Sequence, residues 1–156
     1  MQSYWIWTYG DYEIYHSNLA NSKRQEYGAD YPVFWKLFDV DRNVKLYNEF
    51  YAETDGTMKL KLNGKGYIML DGERYAENKD IHVSKGKHEA YICVMNLTGL
   101  PAAYIESDVC ATNGDWYTFD ENYSKVPVGY DEKYDSAEKN PETFPFAYEH
   151  IQPVSV

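Results

Sequence analysis

The chain has 156 residues, the length of one domain or of one domain with a short tail. Fifteen basic against 25 acidic side chains give a net charge of −10, with no Lys/Arg run, which argues against nucleic acid and anionic membrane surfaces as partners. No stretch reaches the roughly 18 apolar residues of a transmembrane helix, and Met1-Gln2-Ser3-Tyr4-Trp5 carries no signal core, so a cytoplasmic location is expected.

The pattern predicts strands almost throughout. Trp5–Trp7, Tyr12–Tyr15 and Val33–Phe38 supply the first three. Between them Ser17–Glu26 is polar, lacks an apolar stripe, and reads as a loop or one helical turn. Val44, Leu46 and Phe50 then alternate with Lys45, Tyr47, Glu49 and Tyr51, the period of a half-buried strand. Met58, Leu60 and Leu62 alternate with Thr57, Lys59 and Lys61 in the same way. Asp55-Gly56, Asn63-Gly64 and Asp71-Gly72 tolerate the positive φ of tight turns and flank Thr57–Leu62 and Tyr67–Leu70. Residues 43–75 are therefore expected to form a meander of short antiparallel strands.

Ala90–Met95 is apolar on both faces and predicts a central strand, with Cys93 as a small core residue. Ala102–Glu106 and Trp116–Phe119 add two more strands. Short strands separated by Gly, Pro and Asx turns predict an all-β, two-sheet antiparallel sandwich or jelly roll over residues 1–120. From Asp120 to His150 there are eight acidic and three basic side chains, interrupted by Pro127, Pro141 and Pro145. Residues 121–156 are expected to form an irregular acidic segment packed on the sandwich, with one helical turn at Ser136–Lys139.

Few patterns carry chemistry. The four His are scattered and the two Cys show no Cys-x-x-Cys, so no zinc or iron site is expected, and two cysteines are no disulfide framework. Asp39-Val40-Asp41 could offer oxygens to calcium, but EF-hand spacing is absent and a polar turn is the simpler reading. No nucleophile elbow and no phosphate loop is present; Asn63-Gly64-Lys65-Gly66 reads as a hairpin. Glycoside hydrolysis needs two carboxyl groups across a groove, and Glu49 and Glu106 lie on strands among tyrosines. Strand alternation alone accounts for Glu49.

The strongest compositional signal is aromatic: 17 Tyr, 6 Phe and 4 Trp. Trp5, Trp7, Trp35 and Trp116 are candidates for stacking on sugar rings. They are equally candidates for a core or a domain interface, which is the favoured reading in a chain short of Leu.

Several stretches together resemble one family. Trp5-Ile6-Trp7-Thr8-Tyr9-Gly10-Asp11-Tyr12-Glu13-Ile14 is similar to its opening motif, and Arg24–Gly28 followed by Tyr31-Pro32-Val33-Phe34-Trp35-Lys36 to the next. Gly66–Gly72 resembles a strand–turn of galactose-binding-like sandwiches. Val94-Met95-Asn96-Leu97-Thr98-Gly99-Leu100-Pro101-Ala102 is the most specific match, and Phe144–Tyr148 with Pro153–Val156 resembles an exit into a further domain. The family is the bacterial α-L-rhamnosidases of glycoside hydrolase family 78, and the likeness is to their N-terminal β-sandwich domain, over nearly the whole chain.

That resemblance implies a parent enzyme releasing terminal α-L-rhamnose with inversion, whose catalytic pair sits on a helical barrel elsewhere in its chain. No catalytic residue carries over to this sequence. The chain is then expected to be a non-catalytic accessory domain, first structural, docking on downstream domains, and second a weak binder of rhamnose-containing carbohydrate. Some accessory sandwiches of the family hold rhamnose with calcium, but no cofactor motif maps here. Two other readings stand beside it: a dedicated carbohydrate-binding module, and a small jelly-roll glycanase using two Glu.

Overall fold

A computed structural model describes residues 2–11, 43–97 and 99–130. Trp35, Asp39, Asp41, the expected strands Tyr12–Tyr15 and Val33–Phe38, the polar segment Ser17–Glu26 and the turn at Ser136–Lys139 lie outside the described residues.

Eleven strands are described: β1 (Ile6–Trp7), β2 (Asn43–Ala52), β3 (Gly56–Asn63), β4 (Lys65–Leu70), β5 (Glu73–Ala76), β6 (Ile81–Val83), β7 (Gly86–Met95), β8 (Ala102–Ser107), β9 (Tyr117–Phe119), β10 (Lys125–Pro127) and β11 (Gly129–Tyr130). They form two antiparallel sheets, ordered β11-β1-β8-β3-β6 and β10-β9-β2-β7-β4-β5. The all-β sandwich expected from the alternation is what forms. Its spine is the ten-residue pairing of β2 with β7, from Asn43 opposite Met95 to Ala52 opposite Gly86.

Alternation decides which side chains are buried. Val44, Leu46 and Ala52 of β2, Met58, Leu60 and Leu62 of β3, Ile68 and Leu70 of β4, and Ala90, Ile92 and Val94 of β7 all enter one core between the sheets. Each fully buried Leu or Ile contributes roughly 1.5–3 kcal/mol relative to exposure. Trp116 joins this core, completely buried, and its indole N–H donates to the Ala111 carbonyl at 2.8 Å. The N-terminal stretch is tied in by Thr112: its hydroxyl donates to the Tyr4 carbonyl at 2.7 Å and its backbone C=O accepts from Tyr4 N–H at 2.8 Å.

The meander expected over 43–75 does not form. β2 lies in the six-stranded sheet, β3 in the five-stranded sheet, and β4 back in the six-stranded sheet. Asp55-Gly56 and Asn63-Gly64 are therefore crossings between sheets, not hairpin turns. At Gly64 the chain has φ +136°, and an added Cβ would collide with the Met95 carbonyl oxygen, so the crossing passes hard against β7. Only Asp71-Gly72 makes the expected hairpin. Both residues have positive φ, 51° and 85°, and Leu70 pairs with Glu73 across the turn.

Two further expectations are corrected. The sandwich does not stop at residue 120, because β10 extends the six-stranded sheet and β11 pairs with β1 at the edge of the other. The hairpin between β9 and β10 is held by Asp120, whose Oδ1 accepts from the N–H groups of Asn122 and Ser124 at 2.8 and 2.9 Å. Nor is β7 apolar-buried on both faces. His88, Ala90, Ile92 and Val94 face inward, while Tyr91 and Cys93 are half-buried on the outer face and Met95 is exposed. The buried cysteine is Cys110, whose thiol is pushed up to about 12 by desolvation.

Candidate functional site

Alternation that sends aliphatics into the core sends tyrosines out of it. On the outer face of the six-stranded sheet, register aligns residues from six strands in one row. Pro127 of β10 is opposite Tyr117 of β9, Tyr117 opposite Tyr47 of β2, and Tyr47 opposite Tyr91 of β7. Tyr91 is in turn opposite Met69 of β4, and Met69 opposite Arg74 of β5. The rings touch: centroids lie 5.6 Å apart for Tyr47–Tyr91 and 6.0 Å for the stacked pair Tyr47–Tyr117. Phe119 closes edge-on against Tyr47 at 5.1 Å and Tyr117 at 5.4 Å. Such offset and T-shaped pairs stabilise by about 0.5–1.5 kcal/mol beyond their burial.

Tyr47, Tyr91 and Tyr117 are half-buried and Phe119 is 44% exposed, so this paved strip belongs to the surface. Cations lie on its rings. Lys45 Nζ is 5.4 Å from the Tyr91 centroid, Lys125 Nζ 4.4 Å from Tyr117, and the Arg74 guanidinium carbon 3.9 Å from Tyr67. Tyr67 sits opposite Cys93 in the adjacent row, and its phenol is raised above its ordinary value chiefly by a hydrogen bond with that thiol.

Next to the tyrosine row, on its other side, Glu49 of β2 and Glu89 of β7 face each other directly across the strands, both exposed. Opposed side chains of this kind have Cβ atoms about 5 Å apart, and like charges there repel. They border an open groove of about 700 Å³ that also takes in Phe50, Tyr51, Asp71, Lys87 and His88.

The floor of that groove is a charged hydrogen-bonded pair. His88, 8% exposed and stacked on Phe50, places Nδ1 2.5 Å from Asp71 Oδ2 and Nε2 2.6 Å from the Ser84 carbonyl oxygen. A carbonyl only accepts, so Nε2 carries a proton; a carboxylate at Asp71 then calls for a second proton on Nδ1. Burial pushes the imidazole down, but its hydrogen bonds to Asp71 and Ser84 outweigh burial and hold it above its ordinary value. Burial likewise raises Asp71, yet hydrogen bonds from His88 and the Glu89 N–H hold its carboxyl below the usual range. Asp71 thereby fixes the β4–β5 turn against β7, exchanging both backbone and side-chain hydrogen bonds with Glu89.

The tryptophans singled out in the sequence are elsewhere. Trp116 is in the main core. Trp5 and Trp7, 0% and 4% exposed, form a second cluster with Leu100, Ala102 and Tyr104, Trp5 lying 5.6 Å from Tyr104. None of the three offers a ring face to a sugar. Of the two glutamates considered as a catalytic pair, Glu49 is on the outer face of the six-stranded sheet. Glu106 is on the outer face of the five-stranded sheet, 3.4 Å from Lys61 Nζ. The core separates them, so they do not flank a common groove.

Among the described residues no group of three or more His, Cys, Asp or Glu side chains is placed to hold a metal ion. Among them, too, no helix is long and apolar enough to cross a membrane. What the sequence reading missed is the strip Tyr47, Tyr91, Tyr117 and Phe119. Its signal was the alternation Lys45/Tyr47/Glu49/Tyr51, which already placed Tyr47 opposite in face to Leu46. The chain matches no family model and no curated protein.

Proposed function

We propose that this chain is a non-catalytic accessory β-sandwich, of the jelly-roll type found at the N-terminus of α-L-rhamnosidase-like glycoside hydrolases, and that it contacts carbohydrate through the tyrosine-paved face of its six-stranded sheet. The observation that carries the carbohydrate reading is the row Tyr117–Tyr47–Tyr91, three adjacent half-exposed rings on one sheet face. Such rings give a sugar an apolar face for its C–H groups and phenol hydroxyls for its O–H groups, at little cost in side-chain entropy. The context of a rhamnosidase rests on the likeness of Val94–Ala102 and the flanking stretches. The separation of Glu49 from Glu106 removes the basis of a glycanase built on that particular pair.

Isothermal titration of the chain with rhamnose, rhamnosylated flavonoids and neutral and acidic oligosaccharides, with and without calcium, tests the reading. Saturable binding that drops about tenfold in Tyr47→Ala and Tyr91→Ala supports it. Binding to no glycan, or binding indifferent to both substitutions, contradicts it. Turnover of an aryl rhamnoside by the isolated chain would overturn the non-catalytic assignment.

A further inference from the structure

The outer face of the six-stranded sheet differs in charge from the molecule that carries it. The whole chain has net charge −10. By strand parity this face presents Lys45, Lys65, Arg74, Lys87 and Lys125, all exposed, against only Glu49 and Glu89. On the opposite sheet the lysines are matched by carboxylates: Lys59 lies 3.6 Å from Asp80 and Lys61 3.4 Å from Glu106. Among the described residues none of the five cations on the tyrosine face has such a partner. Three of them rest on ring faces instead, Lys45 on Tyr91, Lys125 on Tyr117 and Arg74 on Tyr67.

This arrangement discriminates between ligands. A neutral sugar stacking on Tyr91 or Tyr117 displaces an exposed ammonium group from the ring into water and offers it no ionic partner. A sugar bearing a carboxylate moves the same ammonium to the ring edge and gives it an ionic partner there. The opposed Glu49 and Glu89 bordering the strip disfavour polymers with several charges on each sugar, such as heavily sulfated glycans, so the fit is to a glycan with at most one carboxylate per sugar. From this complementarity we propose that the tyrosine face takes a uronate-containing glycan in preference to a neutral one. The inference rests on the carbohydrate reading above and narrows it to a substrate class.

The test uses the full chain and a matched pair of probes, an oligogalacturonate and its methyl ester, titrated at low and high salt. The acid is expected to bind about tenfold tighter than the ester at low salt, with the gap closing as salt screens the exposed cations. Lys45→Gln, Arg74→Gln and Lys125→Gln are each expected to narrow the gap about threefold. Lys59→Gln, on the other sheet, serves as the control and leaves it unchanged. Equal binding of acid and ester overturns this inference while leaving the carbohydrate reading in place. Tighter binding of a single-stranded oligonucleotide or of a heavily sulfated glycan also overturns it. Failure of both galacturonate probes, together with every neutral glycan, overturns both.

Discussion

On the five-stranded sheet, outward lysines meet carboxylates across strands, and Trp5, Trp7 and Tyr104 are covered almost completely. On the six-stranded sheet, the same alternation puts out tyrosines that stay half-exposed, with lysines and an arginine lying on their rings. Both faces obey period two, so the difference is not one of local structure. It is one of completion: the first face satisfies its charge and its large aromatics within the fold. The second leaves ring faces, phenols and cations available to something else. Composition cannot separate these two uses of an aromatic, because a Trp in a core and a Tyr on a surface count alike.

Substitutions on the two faces put this contrast to the test. The largest effect is expected where an aromatic is part of the core. Trp116→Ala should lower stability by about 3–5 kcal/mol in urea unfolding, whereas Tyr117→Ala, its neighbour on the outer face, should cost about 1 kcal/mol. Comparable losses would dissolve the distinction between core and platform aromatics. Next comes the pair beneath the groove: His88→Ala should cost about 1–3 kcal/mol, since it strips Asp71 and the Ser84 carbonyl of a donor.

That pair also sets a pH dependence. His88 is raised above 6.5 in the folded chain, so its contribution is full below pH 6.5 and is lost as pH rises through the folded value. Asp71 is lowered below 3.8, so its contribution is full above pH 3.8 and is lost as pH falls through the folded value. Urea midpoints should therefore be highest between these limits, and His88→Gln should flatten the decline on the alkaline side. An unchanged decline would place the titrating group elsewhere.

Smaller effects follow on the two faces themselves. Tyr91→Ala should weaken glycan binding about tenfold, or about 1.4 kcal/mol, with the fold intact by circular dichroism. Lys61→Gln, which breaks an exposed ion pair on the opposite face, should change stability by less than about 1 kcal/mol and leave glycan binding untouched.

Much of the fold was legible because alternation is a local property. Val44, Leu46 and Phe50, and Met58, Leu60 and Leu62, announce both the strands and their inward faces. Topology was not local. Asp-Gly and Asn-Gly report that a backbone tolerates positive φ, but not which sheet the next strand joins. Asp71-Gly72 turned back as a hairpin while Asn63-Gly64 crossed the sandwich. Cys93 was misplaced for a related reason: Tyr91, Cys93 and Met95 count as apolar, yet an amphipathic outer face accepts them as readily as a core does. The site was the least legible part. Tyr47, Tyr91 and Tyr117 belong to three strands distant in sequence, and only the register of β2 with β7 and β9 lines them up. Trp5, Trp7 and Trp116 pack inside the fold, the use favoured for them in a chain short of Leu, and this leaves surface stacking to tyrosines.

We place ligand contact on the six-stranded face. Backbone amide chemical-shift mapping during an oligogalacturonate titration reads the contacted strands residue by residue. Perturbations are expected to concentrate in β2, β7 and β9 around Tyr47, Tyr91 and Tyr117, and to be lost in Tyr47→Ala. Perturbations centred on β3 and β8 around Lys61 and Glu106, or none at saturating glycan, would contradict that placement.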